Sequence, residues 1–437
     1  MSLPSDAGIL SRSVVIGVEG GKMRCKNYVL GGALALLSAA AMTASAADWI
    51  GTWGASPLPP TPAAGPRPGT PSFANQTIRQ VVRVSAGGTR VRVRFTNEYG
   101  TKPLRIGAAS IALADPTGAV ADGATKPLLF SGQPTALIPP GAPLLSDPVD
   151  LAVPALSNLS ISLYVPEDTG PCTCHQVGMQ TGFVSDSGDF TAKTFTPKQT
   201  IQSRAFVSEV DVQSPRAAKV VVVLGDSISD GVGSTLDANR RWPDLLAQRL
   251  NASKSTAAWG VVNEGISGNR ILNDGAGQSA LARLDRDVLS VPGVAYVIIF
   301  EGVNDLGMSW GHPTGPAADF FKSLMPPNKA TTEEMTAGYR QLIARLHARG
   351  IKVLGATIAP YEGAAYYSEE GEAIRQALNT WIRTDKAFDG VLDFDAALRD
   401  PAKPTQIAAP LHAGDHLHGS DAGYQAVARS INLALFK

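Results

Sequence analysis

Residues 219–231 read KVVVVLGDSISDG, and no other stretch limits the fold as much. A continuous apolar run of strand length has no solvated face, so it belongs inside a sheet covered on both sides. Such sheets are parallel, with helical crossovers, and hold ligands beyond the carboxyl ends of their strands. This strand ends in Gly225, Asp226 and Ser227, a turn residue, a carboxylate and a small hydroxyl. Asp226 suits a side-chain bond that steadies the turn or caps a following helix, and it is assigned no chemical role.

The pattern continues to the C-terminus. Apolar runs at Val220–Leu224, Val261–Asn263, Tyr296–Phe300, Val353–Ile358 and Val391–Phe394 alternate with helical segments. Pro243 follows Trp242 at a helix start, with Leu245, Leu246 and Leu250 as its apolar face. Thr331 and Glu334 form a capping box. Behind it Met335, Tyr339, Leu342, Ile343 and Leu346 make a stripe closed by Gly350. These features predict a doubly wound parallel α/β sheet over residues 219–437.

Upstream the period is two. QTIRQVVRVSAGGTRVRVRFTNEYG alternates polar and apolar residues around Gly87-Gly88, the pattern of a hairpin. Val91, Val93 and Phe95 point one way and Arg90, Arg92 and Arg94 the other. NLSISLYVPE at 158–167 alternates likewise. Residues 48–212 therefore read as an all-β domain of sandwich or jelly-roll type, with 213–218 as linker. That domain is a wall of the site or a binding module, for which Trp49 and Trp53 are the stacking candidates.

With 437 residues, the chain has room for two cores. Its 38 basic and 38 acidic residues cancel without a dense basic block, so no nucleic-acid partner is expected. Residues 1–46 read as an export leader: Arg24 and Lys26 precede YVLGGALALLSAAAM and then Ala44-Ser45-Ala46. Met23 is a more conventional start for such a leader. The expectation is a secreted or periplasmic protein without a stable membrane anchor; oligomeric state is left open. Cys25 leaves with the leader. Cys172 and Cys174 remain, open to three readings: a disulfide favoured by an oxidising compartment, free thiols, or a metal site with His175.

No phosphate loop, dinucleotide fingerprint, His-Glu-x-x-His or G-x-S-x-G elbow is present. A serine attacks only when a base takes its proton. His175 lies in the β-rich part, and His347 near a helix C-terminus has a plain structural reason to be there. That leaves His312, His412, His416 and His418. Asp415 stands within reach of His418, where a carboxylate can orient an imidazole, although solvated histidines before a helix, or a metal site, would suit the same loop. Glycines at 265 and 268 and the Asn304 amide end two other strands. There they could donate to a developing oxyanion or simply form turns.

Together these residues resemble the SGNH (GDSL-type) hydrolase superfamily. GDSISDG is similar to its first block, GISGN to the second, GVND to the third and DHLH to the fifth. Details such as DANRRWPDLLAQRL resemble bacterial secreted arylesterase or acylhydrolase members, including those grouped with xylan-degrading systems. The resemblance covers residues 220–437. It implies Ser227 as nucleophile, His418 as base and Asp415 as its orienting partner. It also implies an oxyanion hole of the Ser227 N–H, the Gly268 N–H and the Asn304 side chain, with no cofactor or metal. A small-molecule or carbohydrate-linked ester is the implied substrate. Two departures stand out: Ile228 for the usual leucine, and Gly419 where proline often follows, which leaves the His418 loop looser. Acyl transfer on the same apparatus, or a carbohydrate-binding protein with an idle α/β half, are the alternatives. Trp310, His312, Tyr361, Tyr366 and Tyr367 are candidates to line a pocket, and 307–329, rich in Pro and Gly, is a candidate wall or lid.

Overall fold

The computed structural model describes residues 48–437 apart from 64–68, 116, 122, 193 and 314–317. The export leader expected at 1–46 lies outside the described residues. No helix among the described residues is long and apolar enough to cross a membrane.

Five parallel strands form the α/β half, in the order Gly260–Gly265, Val220–Gly225, Val294–Phe300, Lys352–Ala356, Gly390–Leu392. Val220 to Leu224 are fully buried, as a run apolar on both faces requires. The Val220–Gly225 strand has its successors on opposite sides, so its carboxyl end is the switch point where the crossovers diverge. Ser227 sits directly beyond it. The last apolar run stops short of Phe394, which opens a short helix capped by Asp393.

Helix starts follow their local chemistry. Thr331 Oγ1 accepts from the Glu334 N–H at 3.2 Å, and a Glu334 carboxylate oxygen accepts from the Thr331 N–H at 3.1 Å. All five residues of the stripe behind that box are buried. Residues 307–329 are not one loop: Gly307 lies inside the Val303–Trp310 helix, and Ala318–Ser323 is helical too. Tyr361 and Tyr366 are buried in the core and do not line a surface pocket.

The β-rich half is built of antiparallel sheets. One contains Trp49–Gly54, Val207–Gln213, Gly88–Thr96 and Pro143–Leu145. A second runs Pro197–Ile201, Gly182–Ser187, Gln76–Arg83, Asn158–Val165, Ala108–Ala114, Lys126–Pro127, and two short pairs, Cys174–His175 with Arg204–Ala205 and Leu104–Ile106 with Ala136–Ile138, stand apart. Val91, Val93 and Phe95 face the core, while Arg92 pairs with Asp211 at 2.8 Å on the other side. The expected hairpin does not form, because Gln76–Arg83 and Gly88–Thr96 belong to different sheets. The chain crosses between them where the Val84 N–H donates to Ser157 C=O and the Ser85 N–H to Thr52 C=O. Alternation states which face is buried and leaves the pairing partner open. Trp53 is core, and the Trp49 ring lies under the Arg92 guanidinium at 4.3 Å, so neither is a free stacking platform.

The two halves meet at the edge strand Gly260–Gly265, where exposed N–H groups would invite foreign strands. Ser85 Oγ accepts from the Val261 N–H at 2.8 Å, and Ser56 Oγ donates to the buried Glu264 carboxyl at 2.5 Å.

Candidate active site

Ser227 begins the helical turn Ser227–Asp230, and its residue is only 5% exposed. Asp226 is the N-cap, accepting from the Ile228 N–H at 2.9 Å, so the Ser227 hydroxyl is not needed as a cap. Gly225 is required for space: a Cβ there would lie 2.2 Å from Ser229 Oγ.

His418 approaches from the far end of the chain. Its Nε2 lies 2.8 Å from Ser227 Oγ and its Nδ1 2.6 Å from Asp415 Oδ2. With Nδ1–H donating to the carboxylate, Nε2 faces the hydroxyl as an acceptor, the arrangement in which an imidazole withdraws a hydroxyl proton. Partial burial disfavours charge on Asp415, but the hydrogen bond and charge of His418 outweigh it and hold the carboxyl well below its usual range. Hydrogen bonds hold the loop that precedes Gly419. The Ala413 N–H donates to His418 C=O at 2.8 Å, and Asp415 Oδ1 accepts from the Leu417 and His418 N–H groups. Ser420 caps the Asp421–Ser430 helix that follows.

Gly268 has φ +82°, in the left-handed region that a side chain resists. The Asn304 Nδ2 donates to the C=O of Asn269, the next residue, at 3.0 Å, which ties the amide to that turn. Its Oδ1 accepts from Tyr366 Oη at 3.0 Å. The amide is thereby fixed with one N–H remaining. The Ser227 N–H opens a helix and has no intrahelical acceptor. Asp305 accepts from the Ile271 and Leu272 N–H groups at 2.8 and 3.1 Å, pinning the segment after the glycine turn.

Two supporting residues have no local signal in the sequence for the role they take. Tyr366 stood only as a pocket candidate, and nothing local links it to Asn304. Arg283, fully buried, donates to the C=O of Gly225 at 3.0 Å, the C=O of Glu264 at 2.6 Å and Asn269 Oδ1 at 2.9 Å. It joins two strand ends to the glycine turn and pairs with Asp287 and Glu301. An arginine on a helical segment reads as a surface residue until its partners are known.

His412 stacks on His416 at 4.3 Å, and His312 is exposed. Cys172 and Cys174 are bonded to each other. Among the described residues no group of three His, Cys, Asp or Glu is placed to hold a metal ion.

Residues 223–426 match the model of the GDSL-like lipase/acylhydrolase family. The α/β half belongs to that family. The GDSL-like domain is a carboxylic ester hydrolase domain. Among solved structures, the chain is similar to an acetylxylan esterase from Geobacillus stearothermophilus in a catalytic-mutant form. The identity is 20%, over 50% of this chain and 93% of that one, with a TM-score of 0.36. A GDSL-like lipase from Bacteroides thetaiotaomicron is 17% identical over 50% of this chain and 87% of its own, with a TM-score of 0.36. No curated protein matches.

The buried acids of the GDSL-like domain predict an unusual stability profile. Burial pushes Asp226 up to about 7, opposed by the Ile228 N–H and His418 and reinforced by Asp305 and Asp230. Between its unfolded value of 3.8 and about 7 the folded protein binds the extra proton, so stability falls as pH rises through that window. Asp226→Asn keeps an oxygen for the Ile228 N–H and removes the titration. In calorimetry at pH 5 and pH 8, wild type is expected to lose stability between the two. The variant loses less and is the more stable protein at pH 8. A variant with the wild-type slope contradicts this.

Proposed function

We propose that this chain is a secreted serine carboxylester hydrolase that acts through an acyl-enzyme on short-chain or acetyl esters, including esters carried on carbohydrate. The observation that carries the reading is the continuous contact from Asp415 through His418 to Ser227, at 2.6 and 2.8 Å. Ser227 Oγ attacks the acyl carbonyl as His418 Nε2 takes its proton, and Asp415 stabilises the imidazolium. The oxyanion is held by the Ser227 and Gly268 N–H groups and the free N–H of Asn304. The tetrahedral carbon then expels the alcohol, which receives the proton from His418. Water, deprotonated by the same imidazole, cleaves the acyl-enzyme and restores Ser227. No step calls on a cofactor.

One feature supports the substrate class: Ser227 is nearly covered, which favours a small acyl group. Export is supported by the leader pattern and by the Cys172–Cys174 bond, a pairing that persists in oxidising compartments. The test is a p-nitrophenyl ester series from acetyl to dodecanoyl beside acetylated xylan, with and without an added alcohol. Highest kcat/KM at the shortest chains, acetate released from xylan and free acid as the main product are expected. An optimum at long chains overturns the substrate class, and ester products with the alcohol favour transfer.

A further inference from the structure

Of the side chains that the β-rich half places against the GDSL-like domain, His175 reaches Asp230, which ends the helical turn that Ser227 begins. His175 follows the bonded Cys172–Cys174 pair, on a short strand, Cys174–His175, that pairs with Arg204–Ala205. Its Nδ1 lies 3.0 Å from Ser56 C=O. Its Nε2 lies 2.9 Å from Asp230 Oδ1 and 3.2 Å from Val177 C=O. Carbonyl and carboxylate oxygens only accept, so both ring nitrogens donate and the ring is an imidazolium. Burial opposes that charge, but Asp230 together with the Ser56 and Val177 carbonyls outweighs it and raises the imidazole above its ordinary value.

The far oxygen of Asp230 faces the site. Oδ2 accepts from the Ser267 N–H at 3.0 Å and from Ser267 Oγ at 2.6 Å. Ser267 immediately precedes Gly268. Asp230 also ends the turn that Ser227 begins, and its own N–H donates to Asp226 C=O at 2.9 Å. One carboxylate thus spaces the Gly268 turn from the Ser227 turn. Asp230 is 2% exposed and His175 5% exposed, so in the intact protein bulk water does not screen the pair. Without it the carboxylate would sit buried against hydroxyl and amide partners alone, a loss of its charged partner that favours its displacement.

We propose that His175 is a positioning residue for ester hydrolysis: acting through Asp230 and Ser267, it sets the Gly268 N–H relative to Ser227, so that the β-rich half completes the oxyanion site. The proposal rests on the serine-hydrolase reading above. Misplacing a catalytic group by an ångström can lower rate about 100-fold, and the loss falls on kcat because the donor acts on the transition state.

The experiment is steady-state hydrolysis of p-nitrophenyl acetate by the full chain carrying His175→Ala, His175→Gln, Ser267→Ala or the His175→Ala/Ser267→Ala pair. His175→Ala is expected to lower kcat by about 10- to 100-fold with KM within about threefold. His175→Gln, which keeps one N–H for Asp230, recovers at least about fivefold of that loss. The double variant is expected to be little worse than the poorer single, since both act through one carboxylate. A kcat for His175→Ala within about twofold of wild type, or single effects that multiply in the pair, overturns the proposal. If melting curves show that His175→Ala does not fold, Ser267→Ala decides alone. A drop in kcat at constant KM supports the chain of contacts, and an unchanged kcat refutes it. Ser227→Ala is assayed in parallel. Activity surviving there removes the serine-hydrolase reading, whereas loss there with a normal His175→Ala removes only the positioning role.

Discussion

Replacing Ser227 with alanine is expected to lower kcat on p-nitrophenyl acetate by about 10⁴-fold or more while leaving the melting temperature close to wild type. The substitution removes one oxygen whose hydrogen-bond partner is His418 Nε2 at 2.8 Å. The helical turn does not depend on that oxygen, since the cap is the Asp226 carboxylate. Rate and stability are therefore expected to separate: the fold keeps its cap and the chemistry loses the proposed nucleophile. A residual rate above water is expected, because donors and binding still act on a water attacking in place of the hydroxyl. Mass-spectrometric labelling with a fluorophosphonate gives a second reading of the same atom, with one adduct on wild type and none on the variant. A variant that keeps more than about 1% of the wild-type kcat would exclude Ser227 as nucleophile.

What could be read in advance follows from how far apart the cooperating residues lie. The Val220–Leu224 run, the Thr331–Glu334 box and the Asp415–His418 pair are local, and their geometry follows from strand burial, helix capping and chain proximity. Face periodicity was equally legible: Val91, Val93 and Phe95 point inward. Partner choice was not, because an alternating strand buries the same face in a hairpin or after crossing to another sheet, as it does at residues 84–87. The Val303–Trp310 helix was hidden by its glycine, whose low helix propensity is overridden by packing. The least legible parts are the supports. Tyr366 meets Asn304, His175 meets Asp230, and Arg283 gathers two strand ends, all across folds of chain that no local pattern encodes. Each is a polar side chain buried with its partners, and in sequence each looks like an ordinary surface or pocket residue.

Asn304→Ala is expected to lower kcat by about 100- to 1000-fold with little change in KM, the effect of deleting one oxyanion donor. The reason for expecting the upper part of that range is orientation. A free side-chain amide would divide its time between two flipped states, only one of which aims a donor at the substrate. Here Tyr366 Oη donates to Oδ1 at 3.0 Å, and Nδ2 donates to Asn269 C=O at 3.0 Å, so the remaining N–H has one direction. Burial holds the Tyr366 phenol well above its ordinary value, which keeps it protonated and donating. Tyr366→Phe should then reproduce part of the Asn304 defect, about 3- to 30-fold in kcat, because the ring still fills the core while the amide loses its lock. Asn304→Asp should be at least as damaging as Asn304→Ala, since it sets an acceptor against the developing negative charge. These variants are compared by kcat and KM on one short ester, with melting curves to exclude unfolding. If Asn304→Ala loses less than about fivefold in kcat, the oxyanion is stabilised without this amide, and the Tyr366 contact serves packing alone.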